Sequence, residues 1–116
     1  MKINKILLLG LIIALVVIIS GCGTPIPKDM DKFANCLNEN GAIMYGAYWC
    51  SHCNEQKAMF GNSTKKLNYV ECTEDEQKCS AAGIQGYPTW KFADGSSLPG
   101  KQEFLTLAKK TGCPLS

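Results

Sequence analysis

Two cysteines separated by two residues close an apolar, aromatic run: residues 42–53 read AIMYGAYWCSHC and end in Trp49-Cys50-Ser51-His52-Cys53. A buried strand that hands such a pair to the first turn of a helix sets the first thiol among backbone N–H groups that lack a helical partner. That setting, at the positive end of the helix dipole, favours the thiolate. Cys50 is then the nucleophile of disulfide exchange. Cys53, one turn further in and on the buried side, is the resolving thiol that attacks a mixed disulfide between Cys50 and a substrate. His52 can favour the Cys50 thiolate through charge or hydrogen bonding. A stabilised thiolate makes the reduced form comfortable and the disulfide a better oxidant, so the pair leans toward donating disulfides. Two other uses compete: an inert disulfide, or a four-thiolate zinc site with Cys72 and Cys79, whose spacing is wider than that of a zinc knuckle. Haem attachment is excluded, because Asn54 and not His follows Cys53. Neither a metal nor another cofactor is expected.

The rest of the chain sets where this chemistry takes place. Its 116 residues suffice for one domain with one modest core. From Cys22 onward ten Lys face ten Asp or Glu, and this neutrality argues against nucleic acid as a partner. Seven cysteines in so short a chain point to an oxidising compartment or a metal site. The N-terminus decides for export: Lys2 and Lys5 precede the apolar Ile6–Ile19, and Ser20-Gly21 leads to Cys22. At about 14 residues the apolar run is shorter than the roughly 20 that span a bilayer, as in a signal h-region. Ile19-Ser20-Gly21-Cys22 resembles the lipobox of prokaryotic lipoproteins, which implies a signal peptide over 1–21 and lipidation of Cys22. An uncleaved signal anchor is the alternative, and both tether the domain at the extracytoplasmic face of a prokaryotic membrane. The linker within 22–28 is short; its five residues Gly23–Pro27 reach about 17 Å when extended, so the domain of residues 29–116 sits close to the bilayer.

Asp29 is suited to cap a first helix with Met30, Phe33, Ala34 and Leu37 on one face and Gly41 as its stop. Ile43–Tyr48 reads as a central strand, Cys50–Phe60 as a helix ended by Gly61-Asn62, and Leu67–Cys72 as the next strand. Asn62-Ser63-Thr64 is a glycosylation sequon in form and turn composition in substance. Thr73-Glu74-Asp75-Glu76 has the form of a capping box, which starts a helix directly after Cys72. A bond between Cys72 and Cys79 opposes that start, because seven residues of helix separate their ends by roughly 10 Å. If they are bonded, Thr73–Gln77 is a returning loop and the helix begins near Lys78. Gly83 ends it, Thr89–Phe92 is a strand, and Asp94-Gly95 turns into a short return strand ending at Pro99-Gly100. A last helix buries Phe104, Leu105, Leu107 and Ala108 and closes at Gly112 with Pro114.

This order of elements, with a proline just before the third strand, resembles the thioredoxin fold: an α/β domain with a central mixed sheet of about four strands and helices on both faces. Residues 42–53 with Phe60-Gly61, Tyr69-Val70-Glu71-Cys72, and Cys79 through Ala82-Gly83-Ile84 to Gly86-Tyr87-Pro88-Thr89-Trp90 resemble something narrower. They are similar to the thioredoxin-like domain fused to prokaryotic and plant homologues of vitamin K epoxide reductase, over about Phe33 to Gly112. The resemblance implies a thiol–disulfide oxidoreductase acting on protein thiols and re-oxidised by a quinone-linked membrane partner. It also implies that Pro88 is cis and faces the cysteine pair, with Tyr87 presenting its backbone to an extended substrate. Cys72 and Cys79 match a second cysteine pair of that domain, a structural disulfide or a relay. Trp49 and Tyr48 fall to packing and the rim of the site, and Trp90 to the core or a flanking contact.

One departure stands out. Many thioredoxins place an acid six residues before the first cysteine, where it helps the resolving thiol lose its proton, and here that residue is Met44. Proton transfer from Cys53 must use something else, water or Glu55 and Lys57. Cys36 and Cys113 stay open between a third bridge and free or intermolecular thiols, because first and last helices on opposite faces of the sheet would hold them apart.

Overall fold

The computed structural model describes residues 30–115. The expected signal segment, Cys22, the linker and the Asp29 cap lie outside them. The elements in chain order are α1 (Asp31–Glu39), β1 (Ile43–Gly46), α2 (Ser51–Phe60), a 3-10 segment (Gly61–Lys66), β2 (Asn68–Glu71), α3 (Glu76–Ala81), β3 (Thr89–Lys91), β4 (Ser97–Pro99) and α4 (Phe104–Thr111). The strands form one mixed sheet in the order β2-β1-β3-β4, with β1 parallel to β2 and antiparallel to β3. This is the expected thioredoxin architecture.

Side-chain alternation along β1 divides the core. Met44 pairs in register with Tyr69 on one side and Trp90 on the other, and all three face the larger cluster. Tyr45 and Val70 face the opposite way, toward Cys72 and Cys79. On the larger face Phe33 of α1, Phe60 of α2 and Phe104 of α4 meet ring to ring, with centroids 4.9 to 6.1 Å apart. Aromatic rings in such offset and edge contacts bury large apolar areas and fix the helices against one another. Among the described residues α3 alone covers the second face, through Cys79 with Ala82 and Ile84 just beyond it. Helices thus lie on both faces, three of the described ones on one and one on the other.

That distribution corrects one expectation. The first and last helices share a face, so Cys36 and Cys113 are neighbours and form a disulfide with Cα atoms 5.8 Å apart. Asn40 reinforces the junction, its amide donating to Thr111 O at 3.1 Å and to Cys113 Sγ at 3.3 Å. Three boundaries also differ. β1 stops at Gly46 because Ala47–Cys50 is a turn, closed by Cys50 N–H to Ala47 O at 3.0 Å, which leaves Tyr48 and Trp49 outside the sheet. Cys72 and Cys79 are bonded, and the helix after them starts at Glu76 with Asp75 as its cap, not at Thr73 and not at Lys78. Leu105 is exposed, since α4 turns Leu107 inward with Phe104 and Ala108 half-buried beside it. The sequon lies within the 3-10 segment, where the Thr64 hydroxyl donates to Lys57 O at 2.7 Å and closes the end of α2.

Candidate active site

Cys50 is the N-cap of α2. Its backbone is extended (φ −80°, ψ 116°), and its sulfur accepts a hydrogen bond from Cys53 N–H at 3.2 Å. The N–H groups of the first helical turn have no carbonyl of their own to bind, so an anionic sulfur here meets donors already in place. Cys50 retains 7% exposure and Cys53 none, and the two are disulfide-bonded. The outer sulfur can be reached by another thiol while the inner one is reached through its partner. The arrangement suits disulfide exchange, with Cys50 as entry point and Cys53 as resolver.

His52 lies between them in sequence but points outward. Its Nδ1 is 3.2 Å from Glu55 Oε2, which also takes a hydrogen bond from Lys101 Nζ at 3.2 Å. The bonds from His52 and Lys101 hold the Glu55 carboxyl below the ordinary range. Glu55 is therefore a partner of the surface charges and not of Cys53; two residues apart on a helix, the two side chains face different ways. Lys57 is also engaged elsewhere, its ammonium 3.7 Å from the centroid of the Tyr69 ring. Met44 is fully buried in the core.

The rim is built by two loops that meet. The Trp49 and Tyr87 rings stand edge to face with centroids 5.8 Å apart, which brings the loop before β3 against the turn before α2. The Tyr87–Pro88 bond is cis and Pro88 is buried, whereas Tyr48, Trp49 and Tyr87 present exposed aromatic surface. A depression of about 300 Å³ beside them is lined by Trp49, Tyr87, Thr73, Glu76 and the Cys72–Cys79 bridge. The two cysteine pairs belong to different clusters on opposite faces of the sheet. Among the described residues no group of three or more His, Cys, Asp or Glu side chains gathers as a metal site, so the four-thiolate alternative finds no support in their placement.

Three residues that carry this geometry escaped the sequence reading. Gln56 is fully buried on the inner face of α2. Its Oε1 accepts from Trp90 Nε1 at 3.0 Å and from Gln102 N–H at 2.7 Å, and its Nε2 donates to Gln102 O at 3.1 Å. It ties the cysteine-bearing helix to β3 and to the loop before α4. Its signal was a polar residue three positions after the buried Cys53, on the same helix face. The other two are Gly46 and Tyr69. A β-carbon on Gly46 would stand 3.0 Å from Cys53 Sγ and 3.1 Å from Tyr69 Oη, so any side chain there would push these neighbours back by a few tenths of an ångström. A glycine inside an apolar strand is itself a sign of such close approach.

Comparison with known proteins agrees with this geometry. Residues 26–109 match the thioredoxin family. The chain is 50% identical over 91 residues to the thiol-disulfide oxidoreductase LTO1 of Arabidopsis thaliana, a match covering 71% of this chain and 24% of that protein. It is 33% identical over 85 residues to protein disulfide-isomerase of Aspergillus niger, covering 64% and 16% respectively. The chain thus spans about a quarter or less of the length of these curated relatives. Among solved structures, thioredoxin NaTrxh of Nicotiana alata superposes with a TM-score of 0.51 at 17% identity over 67% of this chain and 75% of its own, a likeness of fold. The chain belongs to the thioredoxin family, with Cys50 and Cys53 as a disulfide-bonded pair two residues apart at the start of α2.

Proposed function

We propose that this protein is a membrane-tethered, extracytoplasmic oxidant of protein thiols. The observation that carries the reading is the Cys50 sulfur at the N-cap of α2, beside the exposed aromatic rim of Trp49 and Tyr87. A client thiolate attacks Cys50 Sγ, the Cys50–Cys53 bond breaks, and Cys53 leaves with the electron pair. A second client thiolate then attacks the client sulfur of the mixed disulfide, forming the client's disulfide and releasing Cys50 as a thiolate. Stabilisation of that thiolate by the helix N-terminus drives the step forward. His52, hydrogen-bonded to Glu55, tunes the site from its outer side, and Tyr87 with Pro88 presents the extended client segment.

The two electrons leave for a membrane partner that carries a disulfide and reduces a quinone, similar to the vitamin K epoxide reductase homologues. The resemblance of residues 42–90 supports this partner. Tethering rests on Cys22 and the short linker, outside the described residues; among those, no helix is long and apolar enough to cross a membrane. Cys72–Cys79 serves as a structural bridge, since both residues are buried and staple α3 to the end of β2.

The reduction potential of the Cys50–Cys53 couple decides the direction. The expected value lies well above the roughly −270 mV of thioredoxin, and a value near that figure would instead make the protein a reductase or isomerase fed by a membrane donor. In the same assay Cys50→Ser abolishes oxidation of a reduced dithiol peptide. Reduced Cys53→Ser, mixed instead with a disulfide-linked dimer of a single-cysteine peptide, is expected to hold one peptide as a mixed disulfide on Cys50 while the other leaves as a thiolate, detected by mass. For the tether, Cys22→Ala expressed as the full chain in a bacterial host should lose its lipid label and its membrane partition. Labelling that survives the substitution overturns that part.

A further inference from the structure

Formation of the Cys50–Cys53 bond from any mixed disulfide requires Cys53 to give up a proton, and the buried Met44 supplies no group to take it. Another side chain reaches the same place from the neighbouring strand. Tyr69 pairs in register with Met44 and shares its face, and its phenol end extends past Met44 to the bare face of Gly46. Cys53 Sγ and Tyr69 Oη both lie within 3.1 Å of the point where a Gly46 β-carbon would be. They are therefore no more than about 6 Å apart, a gap that a single hydrogen-bonded water spans.

The phenol is held in place at its outer end. Tyr69 Oη donates to Glu71 Oε1 at 3.1 Å, while Glu71 Oε2 accepts from Thr73 N–H at 3.3 Å and from its hydroxyl at 2.9 Å. The groups facing the ring are Glu71 and Glu74 from its own side of the sheet, Lys57 from α2 and Cys53. Burial, the bond to Glu71 and the charges of Glu71 and Glu74 push the phenol above its ordinary range. It stays neutral and can accept one proton while donating another.

We propose that Tyr69, anchored by Glu71, is the proton relay for Cys53 in place of the absent acid. The proton leaves Cys53 Sγ for the Tyr69 hydroxyl oxygen through one bridging water, as that hydroxyl passes its own proton to Glu71 Oε1. The Cys53 thiolate attacks Cys50 Sγ and the Cys50–Cys53 bond forms. The bond from Cys50 to the client or partner sulfur breaks, and that sulfur leaves with the electron pair. In the reverse sense Glu71 returns the proton to the departing Cys53. The relay rests on Cys53 as the resolving thiol and is indifferent to the net direction of electron flow.

The test is rapid mixing of the reduced full chain with glutathione disulfide, followed by Trp fluorescence from pH 5.5 to 9.5. The bimolecular phase reads attack by Cys50 and the unimolecular phase reads resolution by Cys53. Tyr69→Phe is expected to slow resolution at pH 7 by about 10-fold or more, the low end of the range for positioned acid–base groups or below it. The deficit closes at high pH as Cys53 ionises unaided, and the attack phase changes less than about twofold. Glu71→Gln gives the same profile, and carries the test if Tyr69→Phe does not fold. Resolution unchanged in the folded variants, or slowed equally at every pH, overturns the relay. Absence of any resolution phase in the wild type overturns the proposed function and the relay with it, whereas wild-type resolution with unaltered variants sinks the relay alone.

Discussion

At the residue scale, the chemistry at Cys50 depends on a position and the chemistry at Cys53 on its neighbours. An N-cap is a local property, so the pattern Trp-Cys-Ser-His-Cys at the end of an apolar run was enough to place the Cys50 sulfur. The surroundings of Cys53 come from two strands separated from it in sequence: Gly46 on β1 and Tyr69 on β2. Tyr69 also has a consequence for stability. Its folded-state pKa is raised, so the fold favours the neutral phenol, and the resulting stability is fully present below about pH 10 and lost as pH rises further. Denaturant melts between pH 8 and 11 should show wild-type stability falling more steeply than that of Tyr69→Phe. Parallel curves would mean that the phenol ionises alike in the folded and unfolded chains.

At the element scale, α3 depends on a covalent staple. It has six residues, too few for an independent helix, and is held to the sheet by the Cys72–Cys79 bridge and the side chains around Tyr45 and Val70. Chain-entropy arithmetic for so short a loop gives a contribution of about 2.5 kcal/mol. Replacing both cysteines by alanine should lower unfolding stability by about that amount, a shift in melting temperature of roughly 10–20 °C for a domain of this size. The Cys50–Cys53 potential should not move. A change in partner turnover at unchanged stability would instead make this pair a relay. The capping box at Thr73 misled because Thr73 turns its hydroxyl back to Glu71 and leaves the cap to Asp75.

At the scale of the whole molecule, the packing of three described helices on one face and one on the other decides how the cysteines combine. The stack of Phe33, Phe60 and Phe104 places α1 beside α4, and the Cys36–Cys113 bridge then joins both ends of the domain across 77 positions. The same arithmetic gives this longer loop about 4.5 kcal/mol, more than the short one. Cys36→Ala with Cys113→Ala should therefore destabilise the protein more than loss of Cys72–Cys79 does, measured by denaturant unfolding under oxidising conditions. The reverse order would show that native contacts, and not loop closure, set the contribution of each bridge.

The order of elements, the α2 N-cap, the proline before β3 and the buried faces of α1 and β1 are written in local patterns, and the sequence alone determined them. Periodicity, caps and turn residues act within a few positions, and short-range sterics enforce them. The partner of Cys36, the place of α3 on the second face, the hydrogen bonds around Gln56 and the phenol against Gly46 were decided only by the tertiary structure. Each depends on which side of the sheet a helix packs and on what volume a residue far along the chain leaves free. Aromatic side chains from three helices settle the first, and a missing side chain at Gly46 settles the second.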